Sequence, residues 1–290
     1  MGRFANQLFQ HAFLNVYGNR QRATVQEPPW VGNALFGARA PLPRPLLTDW
    51  HERIDAREQS YPPNGDEALG KNFVGYGQFH TSWYAPDREF LRGLFQPVAA
   101  VRQRMASAVE KMKARGSTTV GVHIRRGDYG RSIFYITPVE WYLDCLAKLW
   151  PTLDRPALFI STEDASLVER FVDYSPVTTK SLGVDLKAEP MPFYQYLLHD
   201  RITLDPVQLD FYPDFHLLSQ CDVLLTPNST FSFFAAMLNP TLREFYRSSL
   251  QTQGFAKEDP WDAYPLTHDR VEDFSHVPGI RTEANPWWIE

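Results

Sequence analysis

The sequence predicts an α/β protein, because apolar segments typical of buried strands alternate with helix-like segments through its second half. That alternation indicates a parallel sheet. The chain has 290 residues, 43% of them hydrophobic, so it can bury a sizeable core, and its length favours two domains. We place an N-terminal domain at residues 1–116, a second domain at 117–250 and a surface-packing tail at 251–290. The hinge follows a helix predicted at 98–115.

The first domain opens with a glycine turn that leads into a helix. Gly2 lets the backbone approach a ligand, and an apolar stripe runs along residues 8–16. Asn6 and Gln7 lie in the first turn, where their amides can reach a sugar or a phosphate; a capped surface helix explains the same pattern. A proline-rich stretch from 27 to 72 makes long regular elements unlikely, and loop-rich regions of this length often bind ligands.

The second domain begins with the most informative segment, in which a predicted strand ends in two arginines. Residues 119–124 are apolar enough for a buried strand, and Arg125, Arg126 and Asp128 follow. Adjacent guanidinium groups repel unless they are paired or solvated, but each can donate two charge-assisted hydrogen bonds to a diphosphate. Open α/β sheets bind ligands at the carboxyl ends of their strands. The segment indicates either a nucleotide-diphosphate site or a surface cluster braced by Asp128.

Another predicted strand, at 223–226, runs into a polar loop and an apolar helix. Asn228, Ser229 and Thr230 stand where a helix N-terminus presents free N–H groups and a positive dipole end. One such residue is enough to cap a helix, whereas four hydroxyl or amide side chains occur between 228 and 232. This excess favours phosphate binding over capping alone.

Composition and charge argue against several classes of protein. The net charge of −5 argues against nucleic-acid binding, which usually requires a basic face. The sequence has no apolar run long enough to span a membrane. Cys145 and Cys221 lack metal-ligand spacing, and we expect both to be buried thiols.

Five blocks of the sequence follow the order of a known family. The chain resembles the GDP-fucose-dependent fucosyltransferases, and most closely the α1,2-fucosyltransferases of glycosyltransferase family eleven. The blocks are Gly-Arg-x-x-Asn-Gln-x-Phe-Gln at 2–10, Gly-Tyr-x-Gln at 75–78, His-x-Arg-Arg-x-Asp-Tyr at 123–129, a strand ending in hydroxyl and acidic residues at 159–164, and Asn-Ser-Thr-Phe-Ser at 228–232. The segment 214–222 also resembles the α1,6-fucosyltransferases. The order and spacing of the blocks make the match specific.

The resemblance implies a fold and a set of donor contacts. The fold would be α/β, with two Rossmann-like domains facing a cleft, of the GT-B type. Arg125 and Arg126 would hold the phosphates of GDP, and His123 would face the ribose or the β-phosphate. Asp214 would accept hydrogen bonds from the guanine base. The other donor-binding residues would be Gly2, Arg3, Asn6, Gln7, Asn228, Ser229, Thr230 and Phe231.

The family also implies the reaction, which is inverting, metal-independent transfer of L-fucose from GDP-fucose to a galactose-terminated acceptor. No Asp-x-Asp metal motif occurs in the sequence, and arginines with a helix N-terminus can replace the charge of a metal. We therefore expect no cofactor and no metal. The predicted catalytic residues are Arg126, His123 and Asp128. Other candidates for a general base are His80, Glu163 and Asp164.

Three departures from the family pattern leave alternatives open. The strand that usually precedes the glycine block is missing, trimmed or supplied otherwise. Gly77 replaces a phenylalanine, and Phe233 and Phe234 stand where two tryptophans are usual. Gly77 and the α1,6-like segment keep open another acceptor, such as a chitobiose core or a protein hydroxyl. A third alternative is a non-catalytic protein that binds a GDP-sugar or a glycan. Without a visible secretory signal we expect a cytoplasmic location, or a lumenal one for a Golgi enzyme trimmed of its anchor.

Overall fold

The computed structural model describes residues 2–37, 41, 47–56, 58–186, 209–274 and 276–277, and the backbone alone of 194–196 and 202–204. The chain divides into two compact units. Unit 1 contains Met1–Gln103, Leu186–Phe211 and Trp261–Tyr264, and unit 2 contains Arg104–Asp185, Tyr212–Pro260 and Pro265–Glu290.

Helices and strands occur in both units. The helices are α1 (Phe4–Gln21), α2 (Gly32–Phe36), α3 (Arg88–Leu94), α4 (Ala99–Lys113), α5 (Val139–Leu149), α6 (Thr179–Leu182), α7 (Tyr212–Leu218) and α8 (Thr230–Leu238). The strands are β1 (Asp49–His51), β2 (Arg53–Ile54), β3 (Ser60–Tyr61), β4 (Asn72–Val74), β5 (Thr118–Ile124), β6 (Pro156–Thr162), β7 (Tyr194–Tyr196), β8 (Ile202–Leu204), β9 (Val223–Thr226), β10 (Glu244–Ser249) and β11 (Gly254–Glu258). None of these helices, within the described residues, has the length and apolar composition that a membrane crossing requires.

Unit 2 is built on a five-stranded sheet with the order β11-β10-β9-β5-β6. β10, β9, β5 and β6 run parallel, and β11 pairs antiparallel with β10 at the edge. All seven residues of β5 are buried, as expected for a central parallel strand covered on both faces. The parallel sheet predicted from the sequence is therefore present.

Apolar side chains from α5 and from three strands form the main core of unit 2. Its buried members include Val122, Leu158, Leu225, Tyr142 and Leu146. The hydroxyl of Tyr142 also donates a hydrogen bond to the carbonyl oxygen of His123, at 2.9 Å. This core therefore fixes the end of β5, immediately before the two arginines.

Unit 1 is organised around α1. Phe13 of α1 lies at the centre of an aromatic cluster that contains Tyr17, Trp50, Phe73, Phe79 and Trp83. Trp50 and Phe73 reach the same ring because β1 and β4 are paired in parallel with these two residues opposite each other. Among the described residues of unit 1 each sheet has two strands, so the Rossmann-like sheet lies in unit 2.

The limits of the units differ from the predicted domains 1–116 and 117–250. The first limit falls between Gln103 and Arg104, inside α4, and residues 186–211 return to unit 1. The start of α4 is fastened to unit 1, because the N–H of Val98 donates to the carbonyl oxygen of Leu35 at 2.9 Å. The boundary between the two units therefore lies within α4, and not at the end of this helix as the sequence predicts.

The predicted surface tail, 251–290, is also corrected. Its residues 254–258 form β11 and extend the sheet of unit 2. Val271 and Val277 are buried in a second small core, together with Tyr135, Trp141 and Leu250. The first part of the tail therefore completes unit 2 instead of lying on its surface.

Candidate active site at the carboxyl ends of the sheet

Three parallel strands of unit 2 bring most of the predicted donor residues to one edge of the sheet. β5 ends at Ile124, β6 ends at Thr162 and β9 ends at Thr226. The carboxyl ends of parallel strands share one edge, which is where ligands bind in open α/β sheets. The arginine pair, the acidic residues after β6 and the loop before α8 therefore meet there.

Arg125 is held between two carboxylates at this edge. Its guanidinium pairs with Asp128, at 2.6 Å, and with Glu163, which follows β6. The same guanidinium lies over the ring of Tyr129, 5.6 Å from its centroid. Three contacts therefore fix its orientation while the side chain stays 21% exposed. These contacts support the role of Asp128 as a residue that holds Arg125 in place.

Arg126 is fixed by backbone groups. Its Nη1 donates to the carbonyl oxygens of Arg125, at 2.9 Å, and of Thr137, at 3.3 Å. Its backbone N–H donates to Glu163 at 3.1 Å. Carbonyl partners orient the guanidinium without removing its charge, which suits a group that binds an anion.

His123 is a buried, neutral imidazole at the end of β5. Its Nδ1 shares a hydrogen bond with the hydroxyl of Ser232 on α8, at 2.8 Å. Burial, and to a smaller extent the charge of Arg125, lower the pKa of the imidazole to about 3. His123 therefore carries no charge near neutral pH and can act as a neutral hydrogen-bonding or packing group.

Asp214 lies in the first turn of α7, where burial raises the pKa of its carboxyl group to about 7. The side chains of Thr179 and Ser161 offset part of this effect on the pKa. The carboxylate oxygen Oδ1 is buried and accepts no hydrogen bond from the part of the chain that the structure describes. A buried acceptor without a donor costs free energy until a ligand supplies one.

Aromatic rings connect Asp214 to His123. Phe215, next to Asp214, meets Phe231 edge to face at 5.3 Å, and Phe231 lies 5.4 Å from the imidazole of His123. Ser161 stands opposite His123 in the register of β5 and β6. A carboxylate, an imidazole and a phenyl ring therefore line one region of unit 2. Sequence analysis assigned no role to Ser161, although the block at 159–164 contains it.

The side chain of Asn228, which the sequence predicts to bind the donor, forms hydrogen bonds within the fold. Its Nδ2 donates to the carbonyl oxygens of Ile133, at 2.8 Å, and Thr267, at 2.9 Å, and its Oδ1 accepts from the N–H of Thr267 at 2.9 Å. The hydroxyl of Tyr129 donates to the carbonyl oxygen of Asn228 at 2.9 Å. The side chain is fully buried, so it fastens two distant segments to the loop before α8.

Ser229 and Thr230 begin α8, where the sequence placed them. Ser229 is the N-cap residue, but its side chain makes no capping hydrogen bond. Its carbonyl oxygen accepts the N–H of Phe233 at 3.1 Å. Ser229 and Thr230 remain the predicted phosphate contacts, because they stand at the positive end of this helix.

The predicted donor-binding residues near the N-terminus, Gly2, Arg3, Asn6 and Gln7, all lie in unit 1. Arg3 is the N-cap residue of α1. Gly2 has a left-handed φ of 78°, and its carbonyl oxygen accepts from the amide of Gln7 at 3.0 Å. A Cβ at Gly2 would lie 2.5 Å from Nδ2 of Asn6, and this contact together with the left-handed φ favours glycine. Oδ1 of Asn6 accepts from Nε2 of Gln78 at 2.9 Å, which joins the first block to the Gly-Tyr-x-Gln block.

Sequence analysis missed Glu52, which holds the Gly-Tyr-x-Gln block in place. Its Oε2 accepts the N–H groups of Tyr76, at 2.5 Å, and Gly77, at 3.3 Å. Gly77 has a φ of 69°, and a Cβ there would lie 2.9 Å from Cβ of Phe13. The packing against α1 therefore explains the glycine at this position. Glu52 belongs to no motif, and no signal in the sequence marks it.

The other candidate bases also have defined partners. Glu163 pairs with Arg125, and Asp164 accepts the N–H and the hydroxyl of Ser166, at 3.1 and 2.6 Å, as a helix cap. His80, in unit 1, shares a hydrogen bond with Ser82 at 2.8 Å. In the described residues, no three His, Cys, Asp or Glu side chains are grouped as metal ligands.

The α/β fold of this chain is similar to those of solved fucosyltransferase structures. A mutant of Arabidopsis thaliana FUT1 in complex with GDP matches with a TM-score of 0.56 and 12% identity, over 89% of this chain and 72% of that chain. The NodZ α-1,6-fucosyltransferase co-crystallised with GDP matches with a TM-score of 0.51 and 13% identity, over 88% of this chain and 94% of that chain. The predicted α/β fold class is confirmed, but a second Rossmann-like sheet is not found among the described residues of unit 1.

Sequence relatives are similar to this chain over most of its length. Galactoside α-(1,2)-fucosyltransferase 1 of Saimiri boliviensis boliviensis is 25% identical over 262 residues, and that of Gorilla gorilla gorilla is 26% identical over 262 residues. Each match covers 82% of this chain and spans 63% of the relative's length. No protein-family model matches the chain. The resemblance to fucosyltransferases that the sequence blocks indicated is confirmed.

Proposed function

We propose that this protein transfers L-fucose from GDP-fucose to the 2-hydroxyl of a galactoside, with inversion and without a metal ion. The similarity to galactoside α-(1,2)-fucosyltransferases supports the reaction and the acceptor. The two solved neighbours contain GDP, which supports the donor. The observation that carries the proposal is the buried carboxylate of Asp214, with an acceptor oxygen that has no donor among the described residues.

Asp214 suits guanine better than the other common bases. The N1–H and the amino group of guanine are adjacent donors that one carboxylate can accept together. Uracil offers a single N–H between two carbonyl groups, and adenine offers an amino group beside an acceptor nitrogen. Phe231 and the neutral imidazole of His123 supply packing and a hydrogen-bonding group in the same region. The proposed donor is therefore a guanosine diphosphate sugar.

The diphosphate would meet positive charge at the same edge of the sheet. Arg125 and Arg126 supply guanidinium groups, and Ser229 and Thr230 supply the start of a helix. Negative charge develops on GDP as the bond from its β-phosphate oxygen to C1 of fucose breaks, and these groups stabilise that charge in place of a metal. The acceptor hydroxyl attacks C1 from the opposite face, which inverts the centre, and gives its proton to a base.

An assay of GDP release tests the proposal. We expect release from GDP-fucose, but not from GDP-mannose or UDP-galactose, to rise when methyl β-galactoside is added and to persist in EDTA. NMR of the product should show an α1,2 linkage. Tight GDP binding without transfer to any galactoside would contradict the proposal and would favour another acceptor or a non-catalytic binding protein.

The affinity for guanosine should depend on pH through Asp214. Guanine donors bind the ionised carboxylate, and the pKa of the free group is about 7. Affinity is therefore full above pH 7, and we expect it to fall about tenfold per unit as the pH drops below 7. Guanosine has no phosphate to titrate, and calorimetry from pH 5.5 to 8 measures the slope. An equal slope in the Asp214→Asn variant would show that another group is responsible.

A further inference from the structure

We propose that Ser232 is a positioning residue, which holds His123 in the tautomer that carries its proton on Nε2. His123 then presents an N–H donor to an oxygen atom of GDP, either on the ribose or on a phosphate. The inference rests on the proposed function for the identity of this ligand. The tautomer itself is a property of the free protein, and it can be measured without any ligand.

The hydroxyl of Ser232 has a single hydrogen-bond partner among the described residues. Ser232 is fully buried and His123 is 4% exposed, and Oγ of Ser232 lies 2.8 Å from Nδ1 of His123. A serine inside a helix often donates instead to a carbonyl oxygen three or four residues earlier, here that of Ser229 or Asn228. Those two oxygens accept other donors, at 3.1 and 2.9 Å. In the part of the chain that the structure describes, Nδ1 is accordingly the acceptor for this hydroxyl.

The direction of this hydrogen bond fixes the tautomer. If Nδ1 carried the proton and donated it to Oγ, the proton of the Ser232 hydroxyl would have no acceptor among the described residues. A buried donor without an acceptor costs free energy, so the hydroxyl donates and Nδ1 accepts. The imidazole is neutral, because burial and the charge of Arg125 lower its pKa. A neutral imidazole that accepts at Nδ1 has its proton on Nε2.

Nε2 of His123 makes no hydrogen bond with the described residues, so its N–H is available to a ligand. The residue is held on other sides, because the hydroxyl of Tyr142 donates to its carbonyl oxygen at 2.9 Å and the ring of Phe231 lies 5.4 Å from the imidazole. Ionised phosphate oxygens accept hydrogen bonds and donate none, and the opposite tautomer would turn a lone pair toward them. A neutral N–H at the edge that carries Arg125 and Arg126 therefore adds a hydrogen bond without adding another charge.

NMR of the free protein with nitrogen-15 histidine measures the tautomer. Near neutral pH we expect Nε2 of His123 to carry a proton and Nδ1 to have the shift of an unprotonated nitrogen. His123→Gln removes these signals and so assigns them among the eight histidines. Ser232→Ala removes the donor to Nδ1, so the Nε2 shift should move toward that of an unprotonated nitrogen as the two tautomers exchange. A proton on Nδ1 in the wild-type protein, or an unchanged Nε2 shift in Ser232→Ala, would overturn the proposal.

Two further variants separate the tautomer from packing. Ser232→Thr keeps the hydroxyl and should keep the Nε2 shift of the wild-type protein. Ser219→Ala is the matched control, because Ser219 is also buried but its hydroxyl donates to the carbonyl oxygen of His216 at 2.7 Å. If Ser219→Ala moves the Nε2 shift of His123 as far as Ser232→Ala does, the proposal fails. Thermal unfolding identifies any variant that does not fold, and the wild-type spectrum still decides between the tautomers.

Calorimetry tests the contact with GDP. Loss of one hydrogen bond predicts that Ser232→Ala binds GDP about 3- to 10-fold more weakly, with Ser232→Thr close to the wild-type protein and Ser219→Ala unchanged. An equal loss with guanosine places the oxygen on the ribose, whereas a loss with GDP alone places it on a phosphate. Unchanged affinity for both ligands would overturn the contact. If the wild-type protein binds neither ligand, the proposed function fails, while the nitrogen shifts still decide the tautomer.

Discussion

Asp214→Asn should weaken GDP binding by about 100-fold while leaving the free protein equally stable, or more stable, at pH 8. Two donors of guanine on one carboxylate are charge-assisted hydrogen bonds, each contributing about 1.5–3 kcal/mol. An asparagine amide can accept from one donor only, and its own NH2 group opposes the other. In the free protein the carboxylate is costly instead, because burial raises its pKa to about 7.

The effect on stability has a defined pH window. Because the folded pKa lies above the unfolded value, the folded state binds more protons than the unfolded state between about pH 4 and pH 7. The stability of the wild-type protein therefore decreases as the pH rises through this window. Asp214→Asn removes that decrease, so the difference between the two proteins should grow up to pH 7 and then stay constant. Calorimetry for GDP and urea unfolding at several pH values measure both effects.

Asp222→Asn is the matched control for Asp214. Oδ2 of Asp222 accepts the N–H and the hydroxyl of Thr119, each at 2.8 Å, so its carboxylate is satisfied within the fold. We expect its substitution to lower stability and to leave the preference for GDP over UDP unchanged. If Asp214→Asn also keeps that preference, the assignment of Asp214 to guanine is wrong.

Arg126→Ala should lower kcat/KM for GDP-fucose by about 1,000-fold. A preorganised charged donor that stabilises a leaving anion contributes about 3–4 kcal/mol to the transition state. The carbonyl oxygens of Arg125 and Thr137 already hold this guanidinium in one orientation. Arg126→Lys keeps the positive charge but loses the planar guanidinium group, which can donate two parallel hydrogen bonds. We therefore expect it to recover only part of the activity.

Arg170→Ala is the control for the loss of a positive charge. Arg170 pairs with Glu140 at 3.1 Å, and both side chains are exposed, so its removal should change neither stability nor activity measurably. Steady-state kinetics with GDP-fucose as the varied substrate compares the three variants. Unchanged kcat/KM in Arg126→Ala would exclude Arg126 from the phosphate site.

The parts of the fold that depend on local pattern were predictable from the sequence. β5 is a continuous apolar run because it is buried on both faces, and the charges of Arg125 and Arg126 begin where that burial ends. α4 was predicted at 98–115 and extends over Ala99–Lys113, since its apolar residues recur with helical spacing. Patterns of this kind identify where a strand or helix lies and which residues follow it.

The partners of individual side chains were not predictable in the same way. Thr137 to Glu140 has the spacing of a capping box, but the hydroxyl of Thr137 donates to Ser248 at 2.9 Å, and the helix has no side-chain cap. Asn228 looks like a phosphate ligand until its bonds to Ile133 and Thr267 are known. In each case the competing partner is distant in sequence, and only the folded chain brings it near.

The carboxylates that hold Arg125 have a consequence for turnover. Glu163 and Asp128 are already paired with this guanidinium before any nucleotide arrives. If the proposed diphosphate binds at this edge of the sheet, it would have to displace these resident carboxylates as well as water, and the same carboxylates would return when it leaves. They would then compete with the product for the guanidinium. Such competition would limit how tightly GDP is retained and speed its release, a step that sets the rate of many enzymes.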